Sequence, residues 1–303
     1  MEFIAPYWNF LLVHPILSLL VGAYDLTKDF GLAVVLVTVG IRLVLYPLFV
    51  TQIRNQRAMQ EIAPAMNEIK AKYGKDRERL TQEQMKLYKE RGYNPAMGCL
   101  PLLLQMPLLF AMYAAFLFFV RTPPPTGAEL GAAIWPFLPN PIGPEETFPL
   151  AANWLPWMPA GLGLPDPLHI LPILAGVSQL IASVMAQPSV QPKIVDSQQK
   201  MMQNMAYYFP LITVFIAWSL PAGLAIYWVT TTVFQIVQQY FVTGWGQLLR
   251  FVPFLRTLSS PGDLALAIRP QATFVSARQD MPPVGAVPDG RHGPCAFQRP
   301  RAP

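Results

Sequence analysis

Long apolar runs are the feature that most constrains the fold of this chain, because a helix needs about 20 predominantly apolar residues to cross the hydrocarbon core of a bilayer. Four apolar blocks reach that length: residues 31–50, 97–120, 167–187 and 206–242. The fourth block is too long for one helix. The sequence "SLPAGL" in its middle, with Pro221 and Gly223, predicts a tight turn between two spans. The sequence therefore predicts an all-α membrane protein with five transmembrane helices.

The composition agrees with this class, since 53% of the 303 residues are hydrophobic and only 13% are charged, which is less charge than soluble domains carry. Cys99 lies in an apolar run and Cys295 in the Pro-rich tail, far apart in the chain, so neither a disulfide framework nor a zinc site is predicted. His14, His169 and His292 lie in separate segments with no nucleophile motif beside them. We expect no cofactor, no metal and no enzymatic activity.

The charges of the loops predict an orientation. Residues 51–94 hold ten Lys or Arg against six Asp or Glu, whereas residues 122–166 hold four acidic residues and no basic one. Because cytoplasmic loops carry the excess of Lys and Arg, residues 51–94 are expected in the cytoplasm. The N-terminus then lies outside and the C-terminus inside.

The first apolar segment, residues 10–24, is shorter than a span and is interrupted by His14 and Pro15. We interpret it as an interfacial helix on the outer face. The alternative is a sixth, short span, which would move the N-terminus to the inside.

The cytoplasmic segment shows helical spacing in two stretches. The first has an apolar seam at Met59, Ile62, Met66, Ile69 and Tyr73, and the second repeats Leu80, Gln84 and Leu87 at similar spacing. Gly74 separates them, so the segment predicts an antiparallel helical hairpin. Its basic faces suit anionic lipid headgroups or ribosomal RNA, although a solvated connector has the same pattern.

Arg42 lies inside the first apolar block, where an ionised side chain costs about 3 kcal/mol on insertion scales. No span contains Asp or Glu to pair with it. Polar residues within the spans are Thr38, Gln105, Ser178, Gln179, Ser183, and a stripe at Trp228, Thr231, Thr232, Gln235 and Gln239. In spans such residues usually bond to neighbouring helices. A water-filled cavity, lined by these residues and reached from the cytoplasm, resolves the cost of Arg42 most simply.

Such a cavity fits a polar or acidic guest, which can be a solute, an ion or a polypeptide segment. The chain has no GxxxxGK[ST] loop, no carboxylate pair in its spans and no inverted repeat, which argues against an ATPase, a proton-coupled carrier and a repeat-built transporter. Two rival functions remain: a small anion channel or carrier in which Arg42 selects the anion, and a passive assembly scaffold in which Arg42 is not needed.

Three stretches carry a family resemblance: "GIRLVLYPL", "NPAMGCLPLLLQMPLLFAMY" and "SLPAGLAIYWVTTTVFQIVQQY". With their order and predicted topology, they closely resemble the YidC family of membrane protein insertases over about residues 8–242. The resemblance implies five core helices around a hydrophilic groove that opens to the cytoplasm and to lipid and is closed on the outer side. It also implies a bacterial plasma membrane protein.

The resemblance assigns roles to residues. Arg42 matches the groove arginine, and Gln179 and Trp228 match groove positions; Thr38, Gln105, Ser183, Thr231 and Gln235 join the substrate groove from their helix faces. The implied mechanism is that the groove holds the polar tail of a nascent membrane protein while its apolar segment slides into lipid. Implied partners are nascent membrane proteins, the ribosome, the Sec translocon and membrane lipids, with no small-molecule substrate.

The sequence departs from the family's pattern in lacking a large outer domain before the first core span, which favours the compact bacterial form. The predicted segments are an outer-face amphipathic segment (1–29), span 1 (30–50), a cytoplasmic helical hairpin (51–94), span 2 (95–121), an irregular extracytoplasmic Pro-rich loop (122–166), span 3 (167–187), a cytoplasmic loop (188–205), span 4 (206–220), span 5 (221–245) and a basic Pro-rich tail expected to be disordered (246–303).

Overall fold

The computed structural model describes residues 5–91, 100–158, 161–187, 197–252 and 254, all of them within a compact unit that covers residues 1–264. The predicted tail beyond residue 254 lies outside the described residues. In the described part the regular secondary structure is helical, apart from one isolated bridge between Thr126 and Thr147. The helices are α1 (Ala5–Trp8), α2 (His14–Thr27), α3 (Phe30–Val44), α4 (Tyr46–Tyr73), α5 (Arg77–Glu90), α6 (Leu100–Val120), α7 (Gly127–Ala133), α8 (Ile170–Met185), α9 (Ser197–Trp218), α10 (Ala222–Thr243) and α11 (Leu248–Phe251), and a π-helical turn, Asn9–Val13, joins α1 to α2.

The first predicted span is broken rather than continuous. Helix α3 ends at Val44, and the chain bends by 69° before α4. Pro47, in the first turn of α4, cannot donate a backbone hydrogen bond to Leu43 and crowds that carbonyl. Residues 46–50 thus belong to the helix that continues to Tyr73, while the predicted end of span 1 at residue 50 stays a prediction.

The N-terminal helix is longer than the sequence predicts. Residues Asn9–Thr27 form the one described helix that is long and apolar enough by itself to cross a membrane. The pair α3 and α4 passes the same test only if it is taken as one bent span. Shorter apolar helices are Gln105–Val120, Ile170–Met185 and Asn204–Trp218. The count of five spans, like the interfacial position of residues 10–24, stays a prediction.

Two packed helices occupy the segment predicted as a hairpin, and its cytoplasmic position stays a prediction. Helix α4 ends at Gly74, and α5 begins after Asp76, whose side chain accepts a hydrogen bond from the backbone N–H of Arg79. Ile62, Met66 and Leu87 form the buried contact between the two helices. The apolar seam therefore packs as its helical spacing requires.

The Pro-rich loop between α6 and α8 is mostly turns, but it includes α7, which the sequence analysis missed. Thr126 and Glu129 form a complete capping box at its start. The T-x-x-E pattern is a signal for such a start. Two further boundaries differ from the prediction, since α8 begins at Ile170 and α9 begins at Ser197, inside the predicted cytoplasmic loop.

The same loop closes one end of the helix bundle. Asp29, 4% exposed, caps α3 by accepting from Leu32 and also accepts from the backbone N–H of Asn153 at 2.6 Å. At the start of α10, the N–H groups of Ala222 and Gly223 donate to loop carbonyls at 2.9 and 3.1 Å. The loop therefore provides hydrogen-bond partners at the first turns of α3 and α10, where backbone N–H groups have no partner within the helix.

The hydrophobic core lies at this closed end. Phe30 makes edge-to-face contacts with Phe116, Phe119 and Phe148 at centroid distances of 5.2–5.6 Å. The core continues through the first turns of α10, from Ala222 to Tyr227. Beyond Tyr227 the buried residues of α10 become polar, so the apolar and polar halves of the bundle meet there.

Candidate functional site

The site is built around Arg42, on the last turn of α3 just before the chain bends. Its side chain is buried, with only 2% of the residue exposed. The Nε group donates to Thr231 Oγ1 at 3.4 Å, and Nη2 donates to Gln105 Oε1 at 3.4 Å. The guanidinium carbon also lies 4.1 Å from the ring centroid of Phe49, which is the geometry of a cation–π contact.

The hydrogen bonds continue from Arg42 to α10. Gln105 Nε2 donates to Tyr227 Oη at 3.0 Å, and Tyr227 is 1% exposed. Helices α3, α6 and α10 thus meet at a polar centre directly beneath the hydrophobic core. We call Arg42, Gln105, Tyr227 and Thr231 the arginine centre.

No acidic residue compensates the charge of Arg42 in the part of the chain that the structure describes. A guanidinium has five N–H donors, and its two described hydrogen bonds go to neutral oxygens at long distance. A buried charge is ordinarily paired or well hydrogen-bonded. The described hydrogen bonds therefore leave part of the donor capacity of Arg42 unused.

Other predicted site residues lie around this centre without bonding to the arginine. Thr38 is 2% exposed, but its hydroxyl donates to Val34 in its own helix at 2.7 Å. Among the described residues, no hydrogen bond to Arg42 comes from the half-buried predicted residues, which are Gln179 and Ser183 on α8 and Trp228 and Gln235 on α10. Their place in a groove stays a prediction.

Two contributors were missed by sequence reasoning. Tyr227 precedes Thr231 by one helical turn and therefore lies on the same face of α10. That spacing was a usable signal. Phe49 follows Arg42 by seven residues, which is the same face of an unbroken helix two turns further on, and in the structure its ring contacts the guanidinium across the bend between α3 and α4.

No cluster that suits a metal ion occurs among the described side chains. Chemically, the arginine centre is a buried cation within a hydrogen-bonded network, so it is suited to binding rather than to bond-breaking.

The family model described as 60Kd inner membrane protein matches residues 22–247. The chain belongs to this family. The match covers α3 to α10, including every residue of the arginine centre.

Named relatives are curated as membrane protein insertase YidC. The chain is 33% identical over 243 residues to that of Alkalihalophilus pseudofirmus, which covers 77% of this chain and 81% of the relative. It is 34% identical over 235 residues to that of Haemophilus influenzae, with coverage of 78% and 37%. The chain thus spans most of the first relative but little more than a third of the second.

A solved structure is also similar, the active YidC insertase crystal structure with the first transmembrane domain resolved. The TM-score is 0.45 at 26% identity, and the similarity covers 76% of this chain and 46% of that one.

Proposed function

We propose that this protein is a membrane protein insertase, as its named relatives are, and that the arginine centre receives the polar segment of an incoming substrate. The observation that carries the proposal is the burial of Arg42 among neutral partners only. A buried guanidinium whose N–H groups have no acidic partner suits a substrate group that binds transiently better than it suits a structural ion pair. The insertase function itself also stands on the family match and on the relatives' shared name.

We expect the polar tail of the substrate to bind at the arginine centre, and we expect acidic tails to bind best. A carboxylate near Arg42 gains a charge-assisted hydrogen bond, which is about twice as strong as a neutral one. Holding the tail there shortens the distance over which it meets hydrocarbon. The substrate groove would be completed by Gln179, Trp228 and Gln235, with Thr38 and Ser183 at its walls.

Transfer of the substrate's apolar segment into lipid would supply the driving force, at about 25 cal/mol for each Å² of apolar surface removed from water. Helix α9 offers a surface for this step, since Leu211 and Phe215 are 67% and 80% exposed. Exposed apolar side chains on one helix are what lipid contact requires. The proposed mechanism consumes no nucleotide.

The proposed topology places five spans around a groove open to the cytoplasm, with the N-terminus outside and the C-terminus inside the bacterial plasma membrane. The excess of Lys and Arg in residues 51–94 supports it. The proposed partners are nascent membrane proteins and lipids, with the ribosome and the Sec translocon as further partners. The basic hairpin, α4 and α5, would be the part that meets the ribosome.

A continuous anion pore is disfavoured by the packing. The closed end holds the aromatic cluster of Phe30, Phe116, Phe119 and Phe148, and Phe30 and Phe116 are at most 1% exposed. An ion that passed Arg42 would meet this core. A groove sealed at one end therefore fits the geometry better than a channel.

The test is reconstitution of the full chain into liposomes. We expect insertion of a small single-span protein with an acidic tail, together with no chloride flux above that of empty liposomes. Liposomes with an unrelated helical membrane protein of similar size serve as the control. Chloride flux without insertion would establish the anion channel and reject the insertase.

A further inference from the structure

The contact between Phe49 and Arg42 has no role in the function proposed above. Phe49 is 5% exposed and Arg42 is 2% exposed, so both side chains are shielded from solvent. The guanidinium carbon lies 4.1 Å from the ring centroid, well within the distance of about 6 Å over which a ring attracts a cation, and this attraction is stronger where water is excluded. Arg42 therefore has a stabilising partner that carries no charge.

The bend between α3 and α4 brings these two side chains together. In an unbroken helix, residues seven apart are separated by about 10.5 Å along the axis, at 1.5 Å per residue. The Arg42 side chain would also point toward the N-terminal end of its helix, away from Phe49. In the structure the chain turns by 69° between them, and Pro47 lies in the first turn of α4. The guanidinium then lies over the Phe49 ring.

The hydrogen bonds of Arg42 are too long to fix the guanidinium by themselves. Those to Thr231 and Gln105 both measure 3.4 Å, whereas N–H···O hydrogen bonds are ordinarily about 2.7–3.2 Å long. An arginine side chain has several rotatable bonds, and ordering them has an entropic cost. The Phe49 ring restricts the guanidinium from a third helix, α4, in addition to α6 and α10.

A phenyl ring differs from an acidic side chain in what it leaves available. A carboxylate in its place would neutralise Arg42 and would compete with any incoming acidic group. The ring has no oxygen or nitrogen atom, so it attracts the cation without removing its charge. It also occupies space from which water would compete for the N–H groups.

We propose that Phe49 is a positioning residue of the arginine centre, whose ring holds the guanidinium in place without neutralising it and thereby sets the preference for acidic substrate tails. This role rests on the proposed function and adds to it a residue that controls selectivity. It belongs to the ring itself, because an aliphatic side chain of similar size fills the space but does not attract the cation.

The test measures initial insertion rates in proteoliposomes for two single-span substrates whose tails differ only in Glu or Gln residues. The readout is the ratio of the acidic-tail rate to the neutral-tail rate, because the amount of folded protein cancels in it. F49L removes the ring and keeps an apolar side chain, so the ratio should fall about threefold to tenfold, as expected for a lost cation–π contact. F49Y keeps a ring and should keep a ratio close to that of the wild type.

The matched control is F148L. Phe148 is 7% exposed, nearly as buried as Phe49, but its ring packs against the rings of Tyr24, Phe30 and Phe119. F148L should lower the melting temperature and leave the ratio unchanged. The inference is overturned if F49L keeps or raises the ratio, or if F49Y or F148L lowers the ratio as much as F49L does. Insertion of neither substrate by the wild type would instead reject the proposed function.

Fluorinated phenylalanines in place of Phe49 cover the case in which F49L does not fold. Each fluorine draws electron density from the ring face and changes the side-chain volume little, so the attraction for the cation weakens stepwise. The ratio should fall in order from one to two to three fluorine atoms, and the same series in place of Phe148 should leave it constant. A ratio that does not depend on the number of fluorine atoms at Phe49 would overturn the inference.

Discussion

Replacing Arg42 by methionine separates the cost of burying the guanidinium from its use in binding. Methionine is also long and unbranched and fills irregular apolar space, but it needs no partner. After the substitution Gln105 keeps its 3.0 Å hydrogen bond to Tyr227, and the Thr231 hydroxyl can bond a carbonyl one turn back in its helix. Apolar replacement of buried charges is often neutral or stabilising by about 1–4 kcal/mol. We therefore expect R42M to melt at the same or a higher temperature in detergent.

The rate of substrate insertion should fall in R42M, although the stability should not. A carboxylate 4 Å from Arg42 would be attracted by about 4 kcal/mol at an effective dielectric constant of 20, and competition from water reduces the net value of a charged hydrogen bond to about 1.5–3 kcal/mol. At 1.4 kcal/mol for each factor of ten, R42M should insert an acidic-tail substrate about tenfold to a hundredfold more slowly than the wild type.

The assay is the initial rate of insertion into proteoliposomes for two substrates that differ only in tail Glu or Gln residues. The loss in R42M should be confined to the acidic tail, and R42K should recover part of the rate because it restores the charge but not the planar donor set. Wild-type rates for R42M with the acidic tail would refute the reasoning. Equal loss for both tails would show that Arg42 acts by shape or position instead of charge.

Two further predictions concern the closed end. An added Cβ at Gly223 would lie 2.1 Å from the Phe116 ring, so G223A should lower the unfolding free energy by about 1–3 kcal/mol, and F116L in the same chain should restore part of it in thermal melts. Hydrogen bonds from the Thr126 backbone and from Arg121 lower the pKa of Glu129 from its ordinary value of 4.5. Its stabilising contribution is therefore fully present above pH 4.5 and is lost as pH falls through the lowered pKa. E129Q should remove this part of the acid dependence, and an unchanged melting profile below pH 4.5 in E129Q would contradict it.

Local patterns in the sequence were enough for several parts of the fold. The spacing of Ile62, Met66 and Leu87 predicted the hairpin, and its buried contact uses those residues. Pro221 and Gly223 predicted the turn between α9 and α10, which the structure places after Trp218. These features depend on residues close together in the chain, whose geometry is set by helical period and by backbone chemistry.

The sequence by itself also determined that Arg42 needs polar partners, because a charge in an apolar run has a cost that does not depend on the fold. Only the tertiary structure decided which partners it has. Gln105 and Thr231 lie 63 and 189 residues away in the chain, and Phe49 reaches the guanidinium through the bend before α4. Helical periodicity fixes the face on which a side chain lies, but the packing of whole helices fixes what that face meets.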